Sequence, residues 1–414
     1  MISMKIQQIL PADPAKAILI GRIWDPVSQG PRVVSVRGED VFDLSPGVRT
    51  VAELMEYENP LEVVLQRTDA PRWDLAEIVE ASQGTDRNRP HLLAPIDLQV
   101  VKACGVTFVE SMIERVIEER CGGDFTRAAE VRKAVADVLG GSLDSVRPGS
   151  EQAREAKRIL SAQGMWSQYL EVGLGPDPEV FTKAPVLSSV GYGSGVGIPS
   201  FSSWNNPEPE LVLILNSAGD PLGATLGNDV NLRDVEGRSA LLLGMAKDNN
   251  ASCAIGPLIR LFHKDFTLES LRTEEITLTV EGTDGYRMEG RNSVARISRS
   301  FEELIKAAHG SHHQYPDGFA LFTGTLFAPT QDRDTEGLGF THKNGDIVTI
   351  SSPQLGTLIN QTQSTEETEP WTFGITALFR YLAQTGTGGA PSITGSPVSA
   401  APGKSAGMKI GFRN

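Results

Sequence analysis

The 414-residue chain reads as an α+β fold that is mostly β. Three observations predict this. Glycine (42) and proline (25) are abundant and punctuate the apolar runs. Those runs are short, within the roughly four to eight residues typical of strands. Helical periodicity is concentrated in one stretch, Glu110–Val138.

Taken in order, Ala17–Trp24, Pro31–Gly38 and Asp40–Ser45 read as strands, and a short helix follows at Val51–Tyr57. Residues 1–85 are thus expected to form a small β-rich N-terminal domain. The polar, turn-rich stretch Ala81–Pro90 begins a linker, and residues 86–170 are expected to be linker and helical segment. Within it Gly122-Gly123 splits Glu110–Val138 into two helices, and Glu151–Leu170 is a third. Gly191–Asn206, rich in Gly, Ser and Pro, reads as a loop that leads into a strand ending at Leu215. Hairpins follow at Asn216–Gly223 and Ile276–Gly290, the latter with Asp284-Gly285 at its turn. Ser300-Phe-Glu-Glu303 is a capping-box helix start. Gly345–Thr362 is a strand pair joined at Ser351–Gly356. Residues 171–385 are expected to form the core. Residues 386–414 are expected to be a flexible tail, with a short strand at its end as an option.

Bulk properties exclude several classes. The net charge of −14 disfavours nucleic-acid binding and attachment to an anionic membrane surface. Cys104, Cys121 and Cys253 include no CxxC pair, which excludes zinc ribbons and thioredoxin-like chemistry. A sparse, odd count suits a reducing cytosol. Met1–Ala17 lacks the pattern of a signal peptide, so a cytoplasmic location is expected.

The most informative motif is Pro207-Glu208-Pro209-Glu210 at the head of the apolar run Leu211–Leu215, followed by Gly227-Asn228-Asp229. Residues i and i+2 of a strand share a face. Glu208 and Glu210 therefore aim two carboxylates at one point, and Asp229 on the next strand can add a third. Spacing alone leaves two readings: a solvated strand edge, or three oxygen ligands for a hard cation. Without Cys or His nearby, the second reading suits Mg²⁺ first and Mn²⁺ or Ca²⁺ as substitutes. His309, His312 and His313 raise the idea of zinc. Their spacing lacks a partner Glu and runs into a Tyr315-Pro-Asp-Gly318 turn, so structural contacts are favoured. Gly191–Gly197 has no strand–turn–helix around it, so a loop over the metal site is preferred to a dinucleotide cradle.

Five separated pieces occur in order: Pro207–Leu211, Gly227–Asp234, Lys247-Asp248 with Gly256-Pro257, Thr323-Gly324-Thr325, and Gly345-Asp346 with Gly356–Asn360. Together they resemble the fumarylacetoacetate hydrolase superfamily over about residues 93–361. The resemblance implies a mixed β-roll core, with Glu208, Glu210 and Asp229 as Mg²⁺ ligands. It implies Arg233 and Lys247 as pocket cations and Lys183 as a further pocket candidate. It also places Gly324 and Thr325 against a substrate carboxylate. Asn231 stands where the family usually has Ser. Ala103–Arg115, which contains Thr107 and Phe108, resembles the segment that lines the pocket and continues into a lid helix. Hydrolases of the superfamily carry a water-activating His on that lid, whereas no His lies between His91 and His263 here. Glu114 stands near that place.

The departure points away from C–C hydrolysis and toward proton abstraction and elimination. The longer layout resembles the branch of sugar-acid dehydratases that act on 2-keto-3-deoxy-D-pentonates (arabinonate or xylonate). The implied product is 2-oxoglutarate semialdehyde. Candidate acid/base groups are Lys247, Glu179 and Glu114. Each has a plainer reading: a surface lysine paired with Asp248, a loop glutamate, and a solvated helix-face charge. The expected partner is a small-molecule 2-keto sugar acid, and the resemblance implies a homodimer or larger homo-oligomer. Two rival readings stand beside this one: a metal-dependent C–C hydrolase or decarboxylase of 2,4-diketo acids, and a noncatalytic β-rich binding protein.

Overall fold

The computed structural model describes residues 9–66, 70–139, 146–162, 164–327, 329–334 and 339–385. The first strands are β1 (Leu19–Asp25), β2 (Gly30–Arg37), β3 (Asp40–Asp43), β4 (Trp73–Asp74), β5 (His91–Leu93) and β6 (Val100–Gly105). Next come β7 (Glu179–Ala184), β8 (Gly195–Ile198), β9 (Asn205–Asn206), β10 (Pro209–Leu215), β11 (Pro221–Asp229) and β12 (Asn231–Leu232). The last are β13 (Cys253–Leu261), β14 (Glu275–Glu281), β15 (Arg287–Ser293), β16 (Phe319–Phe322), β17 (Ile347–Ser352) and β18 (Gly356–Ser364). They form a mixed central sheet of eleven strands, a second sheet of five and a ribbon of two.

The central sheet runs β4-β3-β2-β1-β13-β11-β10-β16-β6-β7, with β5 also paired to β1. β10 lies inside it and every one of its residues is buried. A strand covered on both faces needs a continuous apolar run rather than alternation, which is what Leu211–Leu215 supplies. Leu211, Leu213 and Leu215 pack toward Ile276, Leu278, Ile350 and Leu358 of the second sheet. Val212 and Ile214 point the other way, into a core shared with Val51, Leu54 and Met55. The sheet is thus sandwiched between the smaller sheet β15-β14-β17-β18-β8 and the N-terminal helices. A third cluster joins Met112, Val116 and Ile117 to Leu170, Leu174 and Trp204 and fixes the Val109–Cys121 helix beside the sheet.

Most local expectations correspond to observed elements. Gly122 (φ +62) ends the Val109–Cys121 helix in a left-handed cap, and a second helix spans Ala128–Leu139. Ser300 and Glu303 form the capping box of the Phe301–Ala308 helix. The Asp284-Gly285 turn joins β14 to β15.

Other parts differ. The single helix expected over Glu151–Leu170 is two, Glu151–Ala162 and Gln168–Leu174, with Gly164 at φ +67 between them. Helices at Pro60–Leu65, Leu75–Gln83 and Ile375–Thr385 were not foreseen. The N-terminal strands join the core sheet directly, because β1 pairs with β13 (Leu19↔Arg260). Gly195–Ile198 is not a loop but strand β8, parallel to β18. Gly191 abuts the backbone of Leu93 and Ala94. The expected tail, 386–414, lies outside the described residues. Among the described residues no helix is long and apolar enough to cross a membrane.

Phe322 of β16 is fully buried in the second core, and its ring closes over Gly227 of β11. Phe322→Ala should destabilise the fold by about 3–5 kcal/mol, read from the shift in a urea unfolding curve.

Candidate metal and active site

β10 and β11 are antiparallel neighbours, and their register places Glu210 opposite Gly227 and Pro209 opposite Asn228. Glu208 sits just ahead of β10. Its N–H donates to Asn228 Oδ1 at 3.1 Å, and its carbonyl accepts from Asp229 N at 3.0 Å. Glu208, Glu210 and Asp229 are thereby gathered so that one carboxylate oxygen of each lies within 4.8 Å of the other two. The three are at most 2% exposed, which removes the solvated-edge reading.

Cations surround this acidic point. Lys247 Nζ lies 2.6 Å from Glu208 Oε2 and 3.0 Å from Asp229 Oδ2. Lys183, with no exposed surface, lies 2.8 Å from Asp229 Oδ1 and donates to the carbonyls of Val230 and Lys247. Arg115 donates to the other oxygen of Glu208 and also pairs with Glu118 (2.6 Å) and Glu236 (3.3 Å). Glu118 in turn holds Arg233 Nε at 2.6 Å, and Arg233 holds Glu114 at 2.8 Å. Glu114 closes the ladder on Arg132 at 2.9 Å.

The walls of the cleft include Cys104, Gly105, Val106, Ser111, Phe181 and Thr325 besides the charged groups. Val106 holds φ at +58, a conformation that is strained for a β-branched side chain. It turns the chain from β6 toward the helix at the cleft wall. Glu179, the first residue of β7, faces the cleft from across Gly105, and only a glycine there leaves room for its carboxylate. Among the described residues that carboxylate accepts no hydrogen bond.

Charge does not balance here. Seven carboxylates (Glu114, Glu118, Glu179, Glu208, Glu210, Asp229, Glu236) meet five cations (Arg115, Arg132, Lys183, Arg233, Lys247), an excess of two negative charges. Buried unpaired charge is costly, so without a cation protons must make up the deficit. Burial, then the nearby Asp229 and Glu208 charges, push Glu210 well above the usual carboxylate range. Burial also raises Glu179, against the pull of Arg115 and Lys247. Burial raises Glu236 to about 7. Asp229 goes the other way: burial opposes its charge, but Lys183 and Lys247 outweigh that and hold it low. Three carboxylates, no nitrogen or sulfur donor and a deficit of two charges fit a hard divalent cation.

The structure distributes the residues expected from sequence as follows. Glu208, Glu210, Asp229, Lys247, Glu179 and Thr325 line one cleft. Lys183 lies behind Asp229. Glu114 and Arg233 do not line the cleft. Each is occupied by the other, so Glu114 is neither a free base nor a solvated charge; burial opposes its charge, and Arg233 and Arg132 nevertheless hold its carboxyl low. Gly324 N–H donates to Glu210 Oε2 at 2.7 Å, so its amide steadies that carboxylate and does not point at open space. Thr107 Oγ1 donates to the carbonyl of Thr323 at 2.8 Å, and Phe108 is buried in the core. Gly191–Gly197 contributes nothing to the cleft wall. His309 stacks on Phe319 and His313 on Tyr315. Ser111 and Arg115 were included only as part of the pocket-lining segment Ala103–Arg115, and Glu236 was missed. Glu236 follows Arg233 by three residues, one helical turn, which is the single sequence signal that could have found it.

The fumarylacetoacetate (FAA) hydrolase C-terminal pattern matches residues 154–363, half of the chain. The chain belongs to this family. Two relatives carry dehydratase names. The probable 2-keto-3-deoxyxylonate dehydratase of Haloferax volcanii is 27% identical over 337 residues, 81% of this chain and 96% of that one. The 2-dehydro-3-deoxy-D-arabinonate dehydratase of Saccharolobus solfataricus is 36% identical over 182 residues, 44% of this chain and 57% of the relative. Among solved structures, a hexagonal form of 2-keto-3-deoxyarabinonate dehydratase superposes with a TM-score of 0.58 at 25% identity, covering 84% of this chain and 99% of that one. A 2-keto-3-deoxy-D-arabinonate dehydratase complexed with magnesium and 2,5-dioxopentanoate shares the fold, with a TM-score of 0.56 at 24% identity and the same coverage. These similarities mark the chain as an enzyme of the carbon–oxygen lyase type.

Two outcomes follow from the charge ladder. Glu118 is completely buried between Arg115 and Arg233. Glu118→Ala leaves both guanidiniums uncompensated and should cost about 3–5 kcal/mol in chemical denaturation. Glu236, ordinarily 4.5, is pushed up to about 7 in the fold. Between those values the folded state keeps a proton that the unfolded state releases, so stability should fall as pH rises through that window. Unfolding curves of the metal-free protein across the window should show this slope, and Glu236→Gln should flatten it.

Proposed function

We propose that this protein is a Mg²⁺-dependent dehydratase that converts a 2-keto-3-deoxy-D-pentonate (arabinonate or xylonate) to 2-oxoglutarate semialdehyde. One observation carries the reading: a carboxylate with a raised proton affinity, Glu179, which accepts no hydrogen bond among the described residues, faces the buried acidic triad across a cleft whose wall contains no histidine. The two dehydratase relatives support the substrate class. The three buried, unpaired thiols are in keeping with a reducing cytoplasm.

Glu208, Glu210 and Asp229 would hold the cation. When bound, it supplies a Lewis acid that makes the C3 proton of a 2-keto acid easier to remove. The protein's own groups then divide the proton transfers. Glu179 is the base that takes the C3 proton, because burial raises its affinity for a proton and no donor among the described residues occupies it. Lys247 is the acid that protonates the departing C4 hydroxyl. Burial opposes its charge, but Asp229 and Glu208 outweigh this and keep the ammonium protonated. One water leaves, built from the C4 hydroxyl and a proton from Lys247, and the electrons of the C3–H bond form the C3–C4 double bond. A later proton shift from C5 gives the aldehyde. Hydrolases of the superfamily use a histidine on the lid to activate water, and no histidine lines this cleft.

The test is an assay with each 2-keto-3-deoxy-D-pentonate and Mg²⁺, with product read through a coupled semialdehyde dehydrogenase. EDTA should abolish turnover and Mg²⁺ should restore it. Glu208→Gln should weaken Mg²⁺ binding in titration calorimetry, whereas Glu179→Gln should keep Mg²⁺ binding and lower kcat by about 10²–10⁴-fold. Pyruvate from acylpyruvates, without semialdehyde from the sugar acids, would refute the reading.

A further inference from the structure

The Glu179 carboxylate has no hydrogen-bonding partner among the described residues. Its position must therefore be set by the backbone that delivers it. On one side that backbone is held by the sheet: Glu179 is the first residue of β7 and pairs with Gly105, the last of β6. The strand ladder cannot fix the chain on the other side, where it leaves the Gln168–Leu174 helix through Gly175-Pro176-Asp177-Pro178.

A single buried guanidinium grips that exit. Arg299, 5% exposed, donates from Nη2 to the carbonyls of Val172 and Gly175, both at 2.8 Å, and from Nη1 to the carbonyl of Pro176 at 3.2 Å. Carbonyls at a helix C-terminus lack intrahelical partners and carry partial negative charge, so a planar cation with several donors satisfies them together. Pro176 and Pro178 restrict the next φ angles, so fixing the carbonyls of 175 and 176 carries through a stiff link to Glu179. The neighbouring Ser298 braces the facing wall. Its N–H and Oγ both donate to the carbonyl of Thr107, at 2.8 and 2.9 Å. One short segment between β15 and the Phe301–Ala308 helix thus ties together the turn that follows Gly105 and the link that delivers Glu179.

We infer that Arg299 is a positioning residue for Glu179: it clamps the helix exit so that the carboxylate enters the cleft over Gly105. The inference rests on Glu179 acting as the base. It leaves the cation site and Lys247 untouched, because Arg299 bonds to neither.

The test compares Arg299→Met, Arg299→Lys and Glu179→Gln in the full chain with Mg²⁺ and the 2-keto-3-deoxy-D-pentonate that is turned over. Four quantities are measured: kcat, KM, Mg²⁺ affinity by calorimetry, and wash-in of deuterium at C3 from D₂O. Misplacing a reacting group by about 1 Å costs on the order of 10²-fold in rate. Arg299→Met should therefore lower kcat and C3 exchange by about that factor, with KM and Mg²⁺ affinity unchanged. Arg299→Lys keeps the charge but not the three-carbonyl grip and should show the same split; it is the variant read if Arg299→Met does not fold. Unaltered kcat with only a lower Tm would overturn the inference, and so would a loss of Mg²⁺ affinity in step with kcat. Full activity in Glu179→Gln would instead refute Glu179 as the base, a failure distinguishable from the first.

Discussion

The constraint on which the rest of this structure depends is a surplus of negative charge where water is excluded. Glu208, Glu210 and Asp229 converge at one end of the β10–β11 pair, and over the network of seven carboxylates that includes them the five cations fall short by two charges. Carboxylates in such a place repel one another, and burial strengthens the repulsion. The fold answers with a row of alternating charges from Lys183 and Lys247 through Arg115, Glu118 and Arg233 to Glu114 and Arg132. Each member is costly to bury alone and tolerable only between its neighbours. The row also locates the Val109–Cys121 helix, because Glu114, Arg115 and Glu118 all lie on it. An apolar contact could hold that helix with similar strength, but charges fix its rotation and register as well.

The same constraint explains why the sheet is so thoroughly covered. An ion pair inside a protein retains its strength only if solvent is kept away. β10 and β11 carry the triad at their ends and have apolar layers on both faces. Short hydrogen bonds finish the job where side chains cannot. Gly324 N–H steadies Glu210, and Thr107 links the loop before the helix to the strand that precedes Gly324. Framework and site are therefore one object: the registers that build the β10–β11 hairpin also set the spacing of the three carboxylates.

What was legible in the sequence follows the range of the interactions. Glu208 and Glu210 were readable because strand periodicity alone puts residues two apart on one face, and Asp229 because a hairpin returns it. The Ser300–Glu303 cap and the Asp284-Gly285 turn were readable for the same reason, since their geometry is complete within a few residues. The partners of Arg115, Glu236 and Arg299 were not. Each acquires its partners only when distant segments meet, as when Arg299 reaches carbonyls more than a hundred positions earlier. Glu114 shows the converse. Its place in the sequence suggested either a base or a solvated charge, yet Arg233 and Arg132 claim it for structure. The attachment of β1 to β13 was hidden likewise, because nothing local in Leu19–Asp25 specifies a partner far along the chain.

Identical side chains do different work in this cleft because their surroundings differ. Asp229 meets two lysines, and they hold its carboxyl in the ionised form. Glu210 meets other carboxylates and a single amide, and its charge becomes tolerable only when positive charge is added beside it. Glu179 stands a little apart, raised by burial, and among the described residues no hydrogen bond ties down its oxygens. A carboxylate that is a ligand needs its charge compensated permanently, whereas one that carries a proton needs its two states close in energy. Pairing achieves the first and desolvation without pairing achieves the second. With no imidazole on the cleft wall, this sorting of carboxylates by environment sets groups of high and low proton affinity side by side within one small site.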